Sequence, residues 1–451
     1  MTYVPHTEPE RSEMLAAIGV DRLEALFDAV PAHARFPKLK LPPPASEMEI
    51  AREMQALADS NFLVDPSASF LGAGTYHHYR PATVDYVLQR GELYTAYTPY
   101  QPEVSQGVLQ AMFEYQSMIC RLTGMEVSNA SHYDGATALA EAVLLALNAS
   151  QGKRNKILLS PAIHPQYRAV VRTYLRGTHA ALLVGDEEAG ADLDRLTSQL
   201  DQSTAALVIQ SPNFFGQLEA VDGLADQVHA AGALLIVVTD PIALGRFRPP
   251  GAYGADIAVA EGQSLGIPPS FGGPHLGIFA ARMAHVRRLS GHIVGETVDA
   301  DGRRGYVLTL ATREQHIRRS KATSNICTNS TVCALAAAVY LATLGKSGLR
   351  RVAELCFHKS HYAAARLAAL PGFAINPQAP DKPFFKEFVV RLPRPAAEVN
   401  RRLREELGII GGYDLGHDDP RLRDHMLVAV TELHTRATID RFAEALGQVA
   451  T

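Results

Sequence analysis

The chain has 451 residues, 47% of them apolar and 20% charged, and a formal net charge of −4. That length suits two or three domains, and so mild an acidic balance offers nothing for nucleic acid or an anionic membrane surface to hold. Residues 1–6 lack a basic segment leading into an apolar run, and apolar runs such as 230–238 are far too short to span a bilayer, so a cytoplasmic protein with no membrane partner is expected. Cys120, Cys327, Cys333 and Cys356 are scattered without metal-ligand spacing and read as buried reduced thiols.

Two capping boxes, Thr7 with Glu10 and Asp21 with Glu24, predict two short helices in the first thirty residues. A proline-rich stretch at 37–44 follows, and residues 1–61 read as an N-terminal helical arm. From Phe62 onward short apolar runs alternate with amphipathic stretches, the pattern of βαβ units around a mostly parallel sheet. A helix at 105–123 aligns Val108, Met112, Tyr115, Ile119 and Leu122 and stops at Gly124. Strands are expected at 156–160, 180–184, 205–210, 233–239 and 256–260, with helices at 165–176 and 223–231 between them. This large α/β domain runs over 62–319. Beyond it come an Ala-rich helix at 331–344, strands at 388–391 and 426–431 and a helix at 397–407, a smaller C-terminal α/β domain over 320–451.

Gly72-Ala73-Gly74 fails as a dinucleotide fingerprint, because the third glycine position holds His77, and reads as a turn. Ser131-His132-Tyr133-Asp134-Gly135-Ala136-Thr137, leading into a helix at 138–149, suits an anion cradle and equally a plain helix start. Asp240 ends an apolar strand and so belongs at the carboxyl edge of the sheet, where open α/β folds keep their sites. In PLP enzymes an Asp so placed pairs with the pyridine nitrogen, and a lysine shortly after the next strand forms the Schiff base. No lysine occurs between Lys156 and Lys321, so the architecture invites PLP while the required amine is missing. His77-His78 would point to opposite faces of a strand and have no partner at metal spacing, so no metal site is expected. His132, His164 and His275 read as loop or core histidines, and the basic run 313–321 as a solvated or interface face. Tyr94, Tyr97 and Tyr100, with Pro99 and Pro102, predict a structured loop presenting phenols, suited to a pocket, an interface or plain packing.

Longer motifs add to this reading: Thr7-Glu8-Pro9-Glu10-Arg11, Phe70-Leu71-Gly72-Ala73-Gly74, the tyrosine segment through Pro102-Glu103-Val104-Ser105-Gln106-Gly107, Thr312-Arg313-Glu314-Gln315-His316-Ile317-Arg318-Arg319, and Lys321-Ala322-Thr323-Ser324-Asn325-Ile326-Cys327-Thr328. Together they resemble the glycine dehydrogenase (decarboxylating) family, in particular the alpha subunit of its two-chain form, along essentially the whole chain. The resemblance implies a fold-type I PLP-dependent transferase-like architecture in which alpha and beta chains are duplicated relatives and only beta keeps PLP. The His-Lys pair of the beta-type pattern, counted from Asp256, is replaced here by Gln263-Ser264. Ser264 then stands at the lysine position, Asp240 is vestigial, and no cofactor is expected on this chain. The implied reaction is decarboxylation of glycine on the beta subunit's PLP, with transfer of the aminomethyl group to the lipoyl arm of H protein, in an α2β2 heterotetramer. Under that reading Tyr94, Tyr97, Tyr100, Gln101 and Glu103 line or support the partner's site, with Thr323, Ser324 and Asn325 as neighbours. Near Tyr76 the family pattern has Asp-His, where this chain has His77-His78. Two other readings stand beside this one: a self-sufficient PLP enzyme using Lys321, and a non-catalytic docking scaffold for H protein.

Overall fold

Helix Glu8–Ile18 starts at Thr7, whose backbone amide and hydroxyl both donate to the Glu10 carboxylate, at 2.7 and 2.9 Å, and it ends on a left-handed Gly19. The Asp21 and Glu24 pair does not open a second α-helix. Leu23–Phe27 forms a 3-10 turn entered from an extended Arg22 without a side-chain cap, too short a segment to repay the cost of helix nucleation. A helix without a sequence expectation, Glu47–Asp59, follows the proline-rich stretch and is opened by a capping box between Ser46 and Glu49. The structure, a computed structural model, describes residues 5–63, 65–184, 193–322, 324–326 and 330–450. Its contacts group the chain into two units, Met1–Leu63 and Val64–Thr451.

In the second unit, β1 (Val127–Ser128), β2 (Lys156–Leu159), β3 (Ala181–Val184), β4 (Thr204–Gln210), β5 (Leu234–Thr239), β6 (Ile257–Glu261) and β7 (Gly277–Ala281) make one sheet, in the order β1-β7-β6-β5-β4-β2-β3. Strands β3, β2, β4, β5 and β6 are parallel neighbours, while β7 runs antiparallel to both β6 and β1. The five parallel strands fall where the apolar runs place them. The apolar residues alternate between two clusters: Leu207, Leu235, Val237 and Ala258 point to one face, and Val208, Ile236, Val238 and Val259 to the other. Helices Gln106–Thr123 and Thr331–Ala368 cover the first face, Gly135–Ala149 and Pro165–Leu175 the second, which is why these strands read as continuous apolar runs.

Helix Thr331–Ala368 is broken at Gly345, at φ 60° and ψ −175°, so its first segment ends at 344 as expected and a second segment carries on to Ala368. By length and composition it is the one helix among the described residues able to cross a bilayer, yet Cys333, Ala336, Ala337 and Tyr340 are buried in the core against the sheet. A hairpin, β8 (Ile293–Val298) with β9 (Arg304–Thr309), lies between. The C-terminal part forms an antiparallel sheet in the order β10-β11-β13-β12, from β10 (Ala374–Ile375), β11 (Glu387–Arg391), β12 (Tyr413–Asp414) and β13 (His425–Ala429). The entry to β11 is tied to the loop after β4, with the Phe385 amide donating to the Gly216 carbonyl at 3.0 Å. That bond sets the residue after Phe385 against the edge of the large sheet.

Candidate functional site

A cavity of about 50 Å³ opens at the carboxyl ends of β4, β5 and β6, between Gln210, Thr239, Asp240, Glu261 and Ser264 on one side and Lys386 and Glu387 on the other. Asp240 follows β5 directly, as expected, but it is not idle. Its carboxylate accepts from the Ile242 amide at 2.8 Å and is ion-paired to the Lys386 ammonium at 2.6 Å. Lys386 is 2% exposed, and its Nζ also sits 3.4 Å from the centroid of the Tyr76 ring and 3.2 Å from His78 Nε2. Burial works to raise the Asp240 carboxyl, and the lysine overcomes it, so the group is held below the usual carboxylate range.

Next to this pair the Glu387 carboxylate accepts from the Ala73 amide and the Tyr76 hydroxyl, both at 2.7 Å. A side chain at Gly72 would put its Cβ 2.4 Å from that carboxylate, which is why the turn at 72–74 needs glycine there. Burial pushes the Glu387 carboxyl up to about 7. His78 finds its partner far along the chain: Nδ1 lies 2.7 Å from Glu432 Oε2, and the Tyr79 amide donates to Oε1 at 2.6 Å. Burial raises the Glu432 carboxyl and His78 outweighs it, leaving the group at about 2. Ligand atoms of His78, Cys356 and Glu432 lie within 4.8 Å of one another. Both ring nitrogens of His78 are nevertheless engaged, Nδ1 by Glu432 and Nε2 by the Lys386 ammonium, so neither is left for a metal ion.

The helix expected from 138 starts at Gly135, where Asp134 caps it by accepting from the Thr137 amide at 2.7 Å. The Gly135 amide donates to Glu261 Oε2 at 3.0 Å. A Cβ on Gly135 would fall 2.3 Å from the Tyr167 hydroxyl, and the Tyr167 ring stacks on His164 with centroids 5.0 Å apart. Ser264 is 3% exposed, with no hydrogen-bond partner for its hydroxyl among the described residues. Lys321 is exposed, outside this cavity.

The tyrosine loop is elsewhere. Tyr94, Tyr97 and Tyr100 are exposed, Tyr97 by 76%, and so are Gln101 and Glu103; none of the five lines the cavity. The Tyr100 ring meets His316 and His292 edge-on, at 5.5 and 6.1 Å, and both histidines face Glu314, at 3.5 and 2.8 Å. The loop therefore touches the 312–319 motif, two stretches far apart in sequence. Ser324 donates to Glu141 at 2.7 Å and Asn325 is exposed; Thr323 and Cys327 lie outside the described residues. Sequence reasoning missed Lys386, Glu387 and Glu432. The legible signal was Lys386-Glu387 inside the apolar run Phe384-Phe385 to Phe388-Val389-Val390, since charges are almost never buried unpaired.

The fold resembles that of a sphingosine-1-phosphate lyase from Burkholderia pseudomallei, with a TM-score of 0.64 at 16% identity over 93% of this chain and 94% of that one. A crystal structure of glycine decarboxylase (P-protein) of the glycine cleavage system, in inhibitor-bound form, superposes with a TM-score of 0.92 at 47% identity, covering 100% of both chains. The fold is that of the fold-type I PLP-dependent enzymes. A probable glycine dehydrogenase (decarboxylating) subunit 1 of Thermomicrobium roseum is 56% identical over 450 residues, 99% of each chain. The family model for the glycine cleavage system P-protein matches residues 1–446, and the chain belongs to that family.

Proposed function

We propose that this chain is the subunit of glycine decarboxylase that carries no cofactor of its own and works with a PLP-bearing beta subunit. Together they would decarboxylate glycine and pass the aminomethyl group to the lipoyl arm of H protein, as a cytoplasmic α2β2 assembly. The observation that supports this is in the cavity: its one lysine, Lys386, is committed to Asp240 at 2.6 Å, and Ser264 offers no amine where the family's lysine belongs. PLP on the partner would supply the electron sink for the carbanion left by CO2.

This chain's part is to complete the partner's site. Tyr94, Tyr97, Tyr100, Gln101 and Glu103, with Thr323, Ser324 and Asn325, would border it, the phenols orienting the substrate and excluding water. The contact of Tyr100 with His316 favours this, because it would hold the exposed loop in one position. Residues 62–319 and 320–451 would act as the large and small domains that carry the loop and the polar segment.

The test is a reconstitution. The purified chain with added PLP should show no absorption band of bound cofactor. Mixing with the beta subunit should produce the band and, with H protein present, release CO2 from glycine. A borohydride-stable cofactor adduct on this chain alone would overturn the reading. Tyrosine variants that lose H protein binding while the chemistry continues would instead favour a docking scaffold.

A further inference from the structure

A PLP-type fold meets three features of its cofactor: a protonatable ring nitrogen, an aromatic ring and a phosphate. In this chain each place is taken by the protein's own side chains. We propose that the cavity is closed from within by built-in stand-ins, with the Lys386 ammonium on Asp240 in place of the ring-nitrogen cation and the Glu261 carboxylate on the Gly135 amide in place of the phosphate. This deepens the proposal above, because it states why the cavity refuses the cofactor rather than merely lacking a lysine to bond it.

Charge and space both exclude the cofactor. Asp240 needs a cation, and the Lys386 ammonium supplies it at 2.6 Å, pinned on the Tyr76 ring at 3.4 Å and 2% exposed. A buried carboxylate so paired has no charge left to offer a ligand, and an ammonium so enclosed cannot swing away without leaving Asp240 unpaired. At the other end the helix Gly135–Ala149 presents the amides and dipole that favour an anion. The Glu261 carboxylate takes the Gly135 amide at 3.0 Å, and Asp134 takes the Thr137 amide at 2.7 Å. An incoming phosphate would meet two carboxylates in place of free donors. Between the two ends the Tyr167 ring lies stacked on His164. The remaining space is about 50 Å³, room for a few waters, against roughly 300–1,000 Å³ for a pocket that holds a small ligand. The residues present therefore do not fit PLP, although the backbone around them does.

The experiment uses the full chain without its partner and pyridoxamine 5′-phosphate, which carries the ring and phosphate and needs no lysine to bond. Binding is followed by calorimetry and by the shift of the thermal midpoint, for the wild type and for the Lys386→Ala/Glu261→Gln double variant. The wild type should show no saturable binding at millimolar ligand. The double variant should bind saturably, at least tenfold more tightly, and its midpoint should rise with ligand. Adding Asp240→Asn should abolish that gain. Equal binding by wild type and variant, or a folded variant that binds nothing, overturns the proposal. If the double variant does not fold, Asp240→Asn/Lys386→Met decides instead. A midpoint above that of either single variant supports a charge replacing a charge, and one no higher than the worse single variant overturns it. None of these readings involves the beta subunit or glycine, so a failed reconstitution of activity would leave them standing.

Discussion

The cavity at the sheet edge and the tyrosine loop treat polar groups in opposite ways. In and beside the cavity, Asp240, Lys386, His78 and Glu432 follow one another at 2.6 to 3.2 Å, and Glu387 takes the Ala73 amide and the Tyr76 hydroxyl at 2.7 Å. On the loop, Tyr94, Tyr97, Gln101 and Glu103 stand exposed to solvent. A close-packed interior does not tolerate a hole where a ligand once fitted, so a site that gives up its ligand has to be refilled with matching charge and volume. On the proposed function, the loop is left open for the partner subunit.

Breaking the Asp240–Lys386 pair from one side should have the largest effect. Lys386→Met or Asp240→Asn is expected to cost about 3–5 kcal/mol, because each leaves one buried charge uncompensated. Chemical denaturation of the purified chain reads this directly, and an unchanged midpoint would show the pair to be incidental.

A pH series sharpens the same contrast. The Glu387 carboxyl is raised from its ordinary 4.5 to about 7, so it contributes stability that is present below pH 4.5 and lost as the pH rises through 7. Glu432 is lowered from 4.5 to about 2, so its contribution is present above pH 4.5 and lost as the pH falls through 2. Glu387→Gln should flatten the denaturation midpoint between pH 4.5 and 7 while leaving the acid limb alone. A slope there equal to the wild type's would mean that Glu387 does not titrate in that window.

The outer face should behave the other way round. Tyr97→Ala is expected to stay within about 0.5 kcal/mol of wild-type stability, as an exposed position does. Turnover with the beta subunit should fall roughly tenfold or more, or about 1.4 kcal/mol in transition-state free energy. Normal turnover in an assembled complex would remove Tyr97 from the partner's site. The smallest effect belongs to Ser324→Ala, which deletes the bond to Glu141 and should cost about 1 kcal/mol; urea titration checks it.

Much of the architecture was legible before any coordinates. Strands β2, β4, β5 and β6 are apolar runs, and burial on both faces writes that pattern directly into the sequence. Strand β7 was not legible, because Gly-Ile-Phe-Ala-Ala is short, rich in small residues and paired antiparallel at the far side of β6. The Asp21 and Glu24 pair shows the converse error: the residues of a capping box were present, but Arg22, not Asp21, precedes the turn.

The sequence by itself determined the sheet, the place of Asp240 at its carboxyl edge and the lack of any lysine from 157 to 320, because these are properties of local pattern and of composition within a window. Only the tertiary structure decided that Lys386 fills the charge beside Asp240, that Glu261 takes the amide of Gly135, and that Tyr100 meets His316. Each of those contacts joins elements distant in the chain, and side-chain periodicity carries no information about which distant residue will arrive. For Lys386 the tie between the entry to β11 and the loop after β4 supplies it.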